Sequence, residues 1–476
     1  MRQVRSRIWS RRWLMPPDEL DLSSPRHLHV VGIGGAGMSA IATVLARMGH
    51  HVSGSDLKAS PRTERLRAMG VDVHVGHVAK HLPEALDAVI VSTAVIPSNA
   101  EVVAANDRAV PVLRRAQALR AIVRTRQSIA VAGSHGKTTT SSMLTLCLRA
   151  AGWHPSFLIG GDLNEVGTNA AYDTGEWLVV EADESDGTFL ELMPDAAIVT
   201  NIEADHLDHY GDFDALVRAF EDFVDRVSGV CVVSADDPLA AKLASTRDHV
   251  RTFGVAEHAD YRIVDYEGAR TGSRFDVARG GEVLGSIELP VPGAHNAANA
   301  IAACALALEL GAPFDALHSA LARFGGVARR FQFRGEVEGV TLVDDYAHIP
   351  GEVAAMVQAA REGDWNRVVV IFQPHRYTRT ARLWRDFADA FVDADALILT
   401  DVYGAGEPPQ PGVSGRLLVQ SVLDAHPALP VTYLPRHADV VSHALALTRP
   451  GDVVLTLGAG DINTVLDEWL GAGAVA

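Results

Sequence analysis

Cysteine is scarce in this chain of 476 residues: Cys147, Cys231 and Cys304 lie far apart and form no CxxC pair. That spacing excludes a disulfide framework and a thiolate zinc site, and it fits the reducing cytoplasm. Long apolar runs are missing too. No stretch reaches the roughly 18 uninterrupted apolar residues of a membrane span, and even Ala297 to Leu310 is broken by Asn299 and Glu309. Positive charge is in deficit, with 42 Lys plus Arg against 59 Asp plus Glu and a net charge of -17, which argues against nucleic acid as a partner. What remains, 48% hydrophobic and 21% charged, is globular composition and excludes a collagen, a coiled coil or a wholly disordered chain. At roughly 150 residues per domain, the length predicts about three domains.

The first fourteen residues hold Arg2, Arg5, Arg7, Arg11 and Arg12 and no acid. No apolar core follows them, so they do not read as a secretory signal. Residues 1–26 read as a disordered tail, with Met15 as an alternative start. Beyond it, three segments each open on a buried-strand signature, turn on glycine and continue in a helix-like pattern, as strand-helix-strand units of a parallel sheet do. The fold class is therefore α/β throughout. Its three domains are a Rossmann-like N-terminal domain (1–122), a central P-loop ATPase-like domain (123–327) and a C-terminal Rossmann-like domain (328–476). Strands are predicted at His27 to Ile33, Ser128 to Ala132, Val340 to Asp345, Arg367 to Phe372, Ala396 to Leu399 and Asp452 to Leu457. Between Tyr261 and Pro292, the pairs Glu267-Gly268, Thr271-Gly272 and Gly280-Gly281 punctuate short alternating runs, which predicts an antiparallel meander on the central domain.

The strongest chemical signal is Gly133-Ser134-His135-Gly136-Lys137-Thr138-Thr139 after an apolar strand. Successive backbone amides at a helix N-terminus make a nest for phosphate oxygens, Lys137 adds a point charge, and Thr138 offers a hydroxyl to Mg²⁺. Val131 stands where the usual pattern has its first glycine, so an ordinary glycine turn is the alternative. About forty residues on, Trp177 to Glu184 is an apolar strand ending in acids, where an oxygen ligand for magnesium belongs; a solvated acidic loop is the bland reading. A second cluster, Thr200 to Asp208, holds His206, either a ligand of a second cation or a surface histidine. Gly32 to Gly37 satisfies GxGxxG, and Asp56 follows at the end of the next strand-like run. Alone, this pattern suggests NAD; beside a separate triphosphate loop it implies two nucleotides, one of them a substrate. In the third segment, His375, Arg376 and Arg379 crowd one loop after a strand, a set suited to holding a carboxylate or phosphate.

In this order and spacing, the motifs resemble the Mur ligases of peptidoglycan synthesis, from about Val30 to Ile462. Besides the two glycine-rich loops, the resemblance rests on Glu181 to Phe189, Asn201 to Asp208, Phe372 to Thr380, Asp401 to Glu407 and Gly458 to Ile462. It implies ATP-dependent amide synthesis: the muramic carboxylate of UDP-N-acetylmuramate takes the γ-phosphoryl group, and the amine of L-alanine displaces phosphate from the acyl phosphate. A related ligase adding a preformed peptide or another amino acid is the alternative. Carried onto this chain, ATP falls to Gly133, Ser134, His135, Gly136, Lys137, Thr138, Thr139, His295, Asn296, Arg330 and Asp345. Two magnesium ions fall to Thr138, Glu181 and His206. The UDP-sugar falls to Gly34, Gly35, Gly37, Met38, Ser39, Asp56, Ser92 and Thr93. The catalytic set is Lys137, His348, His375, Arg376 and Arg379, the last three facing the acyl phosphate and the alanine carboxylate. The expected state is a cytoplasmic monomer or weak homodimer.

Three departures stand out. Where the family usually has His-His-Pro-Thr-Glu, this chain has His348-Ile349-Pro350-Gly351-Glu352, losing an imidazole and a hydroxyl. Ser134 replaces a commoner threonine. Several relatives use a carbamylated lysine as second-metal ligand, but no lysine lies between His206 and Ala241, which leaves Glu221 or a water for that role. For His295-Asn296, a helix cap preceding Ala297 is the structural alternative to contact with adenine.

Overall fold

The computed structural model describes residues 20–473. The arginine-rich arm and the alternative start at Met15 lie outside the described residues. Residues 20–26, expected within the tail, are packed instead: Leu22 is buried, and Arg26 pairs with Asp21 at 3.2 Å and lies 3.9 Å from Asp87. An apolar anchor and two ion pairs are enough to hold that stretch against the first sheet.

The chain forms two compact units, divided between Gln127 and Ser128, with Ala170–Tyr172 assigned to the first. The first unit carries a parallel sheet of β1 (His27–Val31), β2 (His51–Asp56), β3 (Asp72–Val75), β4 (Ala88–Val91) and β5 (Val112–Arg114), in the order β3-β2-β1-β4-β5. Leu28, Val30, Val31, Val89 and Ile90 are buried, as the strands of a sheet covered on both faces must be. Strand β1 stops two residues short of the expected Ile33, because Gly32 takes φ +79 and turns the chain off the sheet. The order reverses between β1 and β4, so the turns after these strands flank a crevice at their C-terminal ends.

The second unit carries two sheets. The larger contains β6 (Gln127–Ala132), β7 (Ser156–Leu163), β8 (Thr168–Ala171), β9 (Trp177–Glu181), β10 (Ala196–Val199), β11 (Cys231–Ser234), β12 (Val250–Gly254), β13 (Tyr261–Ala269), β14 (Gly272–Arg279) and β15 (Glu282–Leu289). Its order is β15-β14-β13-β12-β11-β10-β6-β9-β7-β8, and β13 to β15 are the predicted antiparallel meander. The helix Lys137–Ala150 packs on the helix Ala294–Glu309, whose alanines at 297, 300, 302, 303, 305 and 307 are all buried; small side chains let the two backbones approach closely.

The smaller sheet contains β16 (Gln332–Val337), β17 (Val340–Asp345), β18 (Val368–Phe372), β19 (Ala396–Leu399), β20 (Val431–Tyr433) and β21 (Val453–Leu457), in the order β16-β17-β21-β18-β19-β20. Strand β16 runs antiparallel to β17 and the remaining pairs are parallel. All five residues of β18 are buried. At about 1.5–3 kcal/mol for each fully buried large apolar side chain, this strand fixes the register of the sheet and with it the position of the loop that follows.

Candidate functional site

The phosphate loop leaves β6 at Gly133 and enters the helix at Lys137. Gly133 has φ +132 and Gly136 φ +79, and a Cβ at Gly136 would stand 2.3 Å from Asn299 Oδ1, so only glycine permits this turn. Gly136 is the N-cap and brings no side-chain cap, leaving the first helical amides open to an anion. Lys137 Nζ donates to the carbonyls of Gly133 at 2.6 Å and Ser134 at 3.2 Å, and to Glu184 at 2.9 Å. Burial pushes the Glu184 carboxyl up to about 7 against the pull of Lys137, while Glu184 and Asp183 hold the Lys137 ammonium above its ordinary value despite its own burial. A cation is thereby kept charged in a dry place.

The segment after β10 braces this loop. His135 N donates to Asn201 Oδ1 at 2.8 Å, Ser134 N to the Asn201 carbonyl at 3.1 Å, and Glu203 N to Ser134 Oγ at 2.8 Å. From the other side comes the helix Pro350–Arg361 of the smaller-sheet region. Glu352 Oε1 lies 3.1 Å from His135 Nδ1, and His135 Nε2 lies 3.2 Å from Glu203 Oε2. Burial alone would lower the His135 pKa, but the two carboxylates raise it to about 9, and the same imidazole with His348 holds Glu352 well below the usual range. An imidazolium between two carboxylates thus ties the phosphate loop to the third segment.

Beside this bridge lies a cavity of about 240 Å³. His135, Gly136, Thr138, Thr139, His295, Asn296, Arg330 and Asp345 all line it, so the structure gathers these expected nucleotide residues in one place. Burial and the nearby Arg330 depress the His295 pKa to about 4, which leaves a neutral ring able to donate and accept. Asn296 is not a helix cap: Gly293 holds that position, and the Asn296 amide donates back to the Pro292 carbonyl at 2.7 Å. Both Asp345 oxygens accept from backbone amides, Phe331 at 2.7 Å and Ala347 at 2.6 Å. Its carboxylate shapes the wall, and burial raises it to about 6 against the pull of Arg330. Sequence reasoning missed Phe253, Asn299 and Met356, which also line the cavity. Asn299 was discoverable, since it follows His295 by four residues on one helix face.

Oxygen groups that could hold a magnesium ion meet at Thr138. Its hydroxyl donates to Glu181 Oε2 at 3.0 Å, and Gly160 N donates to the same oxygen at 2.7 Å. A Cβ at Gly160 would sit 2.7 Å from that oxygen, so the carboxylate rests in a cradle that only glycine leaves open. A hydroxyl and a carboxylate suit a hard cation that draws its other ligands from phosphate and water. Among the described residues no group of three or more His, Cys, Asp or Glu forms a protein-only metal cage. His206 takes φ +55, its Nε2 lies 3.3 Å from Asp205 and 3.9 Å from Glu184, and burial lowers its pKa, so the neutral ring can act as a ligand. Glu221 does not reach this site. Its field acts on Arg247, which pairs with Asp225 at 2.7 Å beside the start of β12, the opposite end of the sheet from Thr138.

A second cavity of about 350 Å³ adjoins His206, with Arg376 and Arg379 in its wall. Arg379 lies 3.5 Å from Asp205, and its Nη1 lies 3.1 Å from His375 Nδ1. The rings of His348 and His375 meet edge to face at 5.6 Å; burial and the neighbouring His348 depress His375 to about 3. The expected catalytic residues His375, Arg376 and Arg379 are therefore contiguous, with His348 linking them to Glu352 at 3.2 Å.

In the first unit, Gly34 N donates to Asp56 Oδ2 at 2.8 Å, so Asp56 pins the glycine turn. Gly35 is the N-cap of the helix Ala36–Arg47 and brings no side-chain cap, and Gly37 lies in that helix's first turn. Ser92 and Thr93 follow β4, Thr93 exposed. Met38 is buried and Ser39 Oγ donates to the Ala36 carbonyl at 3.0 Å.

Three family models match in series: the Mur ligase family catalytic domain over residues 27–127, the Mur ligase middle domain over 131–307, and the Mur ligase glutamate ligase domain over 329–460. The UDP-N-acetylmuramate--L-alanine ligase of Anaeromyxobacter sp. (strain Fw109-5) is 48% identical over 452 residues, covering 94% of this chain and 98% of that protein. Its namesake from Pelobacter propionicus is 47% identical over 443 residues, covering 91% and 95%. Among solved structures, a UDP-N-acetylmuramate-alanine ligase from Thermotoga maritima matches with a TM-score of 0.80 at 30% identity, over 94% of this chain and 99% of that one. With three models in series along one chain and relatives matched nearly end to end, this protein belongs to the Mur ligase family of ATP-dependent amino-acid ligases.

Proposed function

We propose that this protein joins L-alanine to the muramic carboxylate of UDP-N-acetylmuramate, with ATP going to ADP and phosphate, as a step of peptidoglycan precursor synthesis. The observation that carries the reading is the charge arrangement at the phosphate loop, where Lys137, Thr138 and Glu181 meet beside a cavity that the third segment closes through Glu352. The near full-length likeness to relatives bearing that activity in their names supplies the substrates.

In the first step a muramate oxygen bonds to the γ-phosphorus while the bond to the β-bridging oxygen breaks and ADP leaves. Two anions must meet for this, and Lys137 offers a fixed positive charge that needs no reorganisation as charge shifts. Magnesium, held by Thr138 and Glu181 and at a second position by His206, supplies further charge neutralisation when bound. The amine of L-alanine then bonds to the acyl carbon, phosphate leaves, and the amine gives up a proton. The bridge from His135 to Glu352 keeps the third segment over the centre and shields the acyl phosphate from water. We assign residues 1–122 to the UDP-sugar, with Gly34, Gly35, Gly37, Asp56, Ser92 and Thr93 around its diphosphate and ribose, 123–327 to ATP, and 328–476 to closure. The three free, buried thiols accord with a cytoplasmic enzyme.

Phosphate release from ATP and UDP-N-acetylmuramate should require L-alanine and be absent with D-glutamate or a tripeptide. Release with the tripeptide alone would replace the reading with that of a peptide-adding ligase.

A further inference from the structure

The third segment meets the central region at a second place, away from the phosphate loop. Strands β13 and β14 join through Arg270 and Thr271, and their pairing slips between Val264 and Glu267, where Asp265 takes φ +50. One extra residue on one strand is a β-bulge, which bends the strand and re-aims its side chains. Tyr266 stands in that bulge. Its hydroxyl donates to Glu362 Oε2 at 2.6 Å, and burial together with that carboxylate holds the phenol above its ordinary value, so it stays a donor. Four residues on, the Arg270 guanidinium lies 3.9 Å from the centre of the Trp365 ring and donates to the Asp364 carbonyl. A Cβ at Gly268 would collide with Glu362 Oε2, so the glycine leaves the carboxylate its place.

Glu362 is the C-cap of the helix Pro350–Arg361. Twelve residues at about 1.5 Å each put roughly 18 Å between the two ends of that helix. In its first turn Glu352 lies 3.1 Å from His135 of the phosphate loop. Further along, Ala355 and Met356 line the nucleotide cavity, and a Cβ at Gly293 would stand 2.7 Å from Ala359 Cβ. At its far end Glu362 meets Tyr266. The helix therefore lies along the central region with a polar clamp at each end and the cavity wall between. Held at one end only, it could swing about that contact; held at both, it leaves the cavity only when both break. Arg330 and Asp345 reach the same cavity from the third segment, so nucleotide contacts depend on that segment staying in place.

We propose that the tip of the β13–β14 hairpin is a latch for the third segment, with Tyr266 and Arg270 as positioning residues that act on nucleotide affinity through Glu362 and Trp365. Neither lines the cavity. The proposal rests on the function proposed above and adds to it a remote control of closure. A ligand that binds only the closed arrangement is weakened in proportion to the open fraction. Loss of the latch should therefore weaken ATP binding and leave the chemistry at saturation in place.

The test uses the full chain as wild type, Tyr266→Phe, Arg270→Ala, the double variant, Glu362→Ala, Glu362→Gln and Glu362→Ala combined with Tyr266→Phe. Calorimetry gives the Kd of a non-hydrolysable ATP analogue with magnesium, and phosphate release with UDP-N-acetylmuramate and L-alanine gives kcat and the KM for ATP. In Tyr266→Phe with Arg270→Ala, both ATP constants should rise about tenfold, the equivalent of one hydrogen bond to a charged group, with kcat within twofold. The Kd for UDP-N-acetylmuramate without nucleotide should stay within twofold. Glu362→Gln keeps an acceptor and should behave as wild type, whereas Glu362→Ala should match Tyr266→Phe, and combining those two should add nothing. Neither constant depends on how much of a preparation is folded, so lost stability alone does not mimic the result. Unchanged ATP constants in the double variant overturn the proposal, as does an equal loss for UDP-N-acetylmuramate, which would report a general softening of the chain. If wild type bound the analogue but released no phosphate with L-alanine, the reading of function would fail, and the analogue's Kd would still decide the latch.

Discussion

The molecule contains two glycine-rich turns of the same local design and opposite chemical content. Both follow a buried parallel strand, both use a glycine at positive φ, Gly32 at +79 and Gly136 at +79, and both enter a helix whose glycine N-cap leaves backbone amides open. The first holds no cation among its own residues; Gly34 N donates to the carboxylate of Asp56, and Gly32 N and Ile33 N donate to the Ser55 carbonyl. The second carries Lys137 and Thr138 and is ringed by Glu181, Asp183 and Glu184. A nest of amides is enough to hold a nucleotide diphosphate that passes through unchanged. Moving a phosphoryl group requires countercharge stored in advance, and the second turn stores it in Lys137.

The largest effect that would sharpen this contrast comes from Lys137→Ala. Turnover should fall at least about 10²–10³-fold, the cost of deleting one preorganised group that stabilises developing charge. Calorimetry on the same variant should find UDP-N-acetylmuramate binding within twofold of wild type. If sugar-nucleotide binding collapsed with turnover, the two turns would not be independent.

A smaller effect is expected at the first turn. Asp56→Ala removes the acceptor that pins Gly34, a hydrogen bond to a charged group of about 1.5–3 kcal/mol. The Kd for UDP-N-acetylmuramate should weaken about tenfold or more while the KM for ATP stays put. A shift in the ATP constant instead would assign this turn to the other nucleotide.

What was legible in the sequence divides along the same line. Strands β17 and β19 match their predicted limits residue for residue, because short apolar runs bounded by polar residues leave little choice. That Lys137, Thr138 and Glu181 would come together was legible because the first two enter the helix after β6 and the third is the last residue of β9. The cap at Asn296 was misplaced because the helix start is set by Gly293 at φ +95, a backbone property that composition does not reveal. Glu221 was offered as a ligand for its charge alone, and its helix carries it to the far end of the sheet. The bridge from His135 to Glu352 was not legible at all, since its partners lie 217 positions apart and only the tertiary fold brings them together.

That bridge gives the smallest prediction and the one that separates the second turn from the first by pH. His135 titrates at about 9 in the folded chain against an ordinary 6.5, raised by Glu203 and Glu352 in spite of its burial. Protons are therefore bound more tightly in the folded state, so the stabilisation is fully present below pH 6.5 and is lost as pH rises through about 9. Once the imidazolium is neutral, Glu203 and Glu352 flank a ring that carries no positive charge to offset theirs. The wild-type melting temperature should fall between pH 8 and 10 by a few degrees more than that of His135→Asn, about 2–4 °C for each kcal/mol in a domain of 150–250 residues. Lysine, tyrosine and cysteine titrate in the same window, but they are common to both proteins and cancel in the comparison. Among the described residues no such imidazolium bridge between carboxylates stands at the glycines of the first turn, so UDP-N-acetylmuramate affinity should change equally with pH in the two proteins. Parallel melting curves across that range would mean that the third segment is held over the phosphate loop by packing and not by this charge.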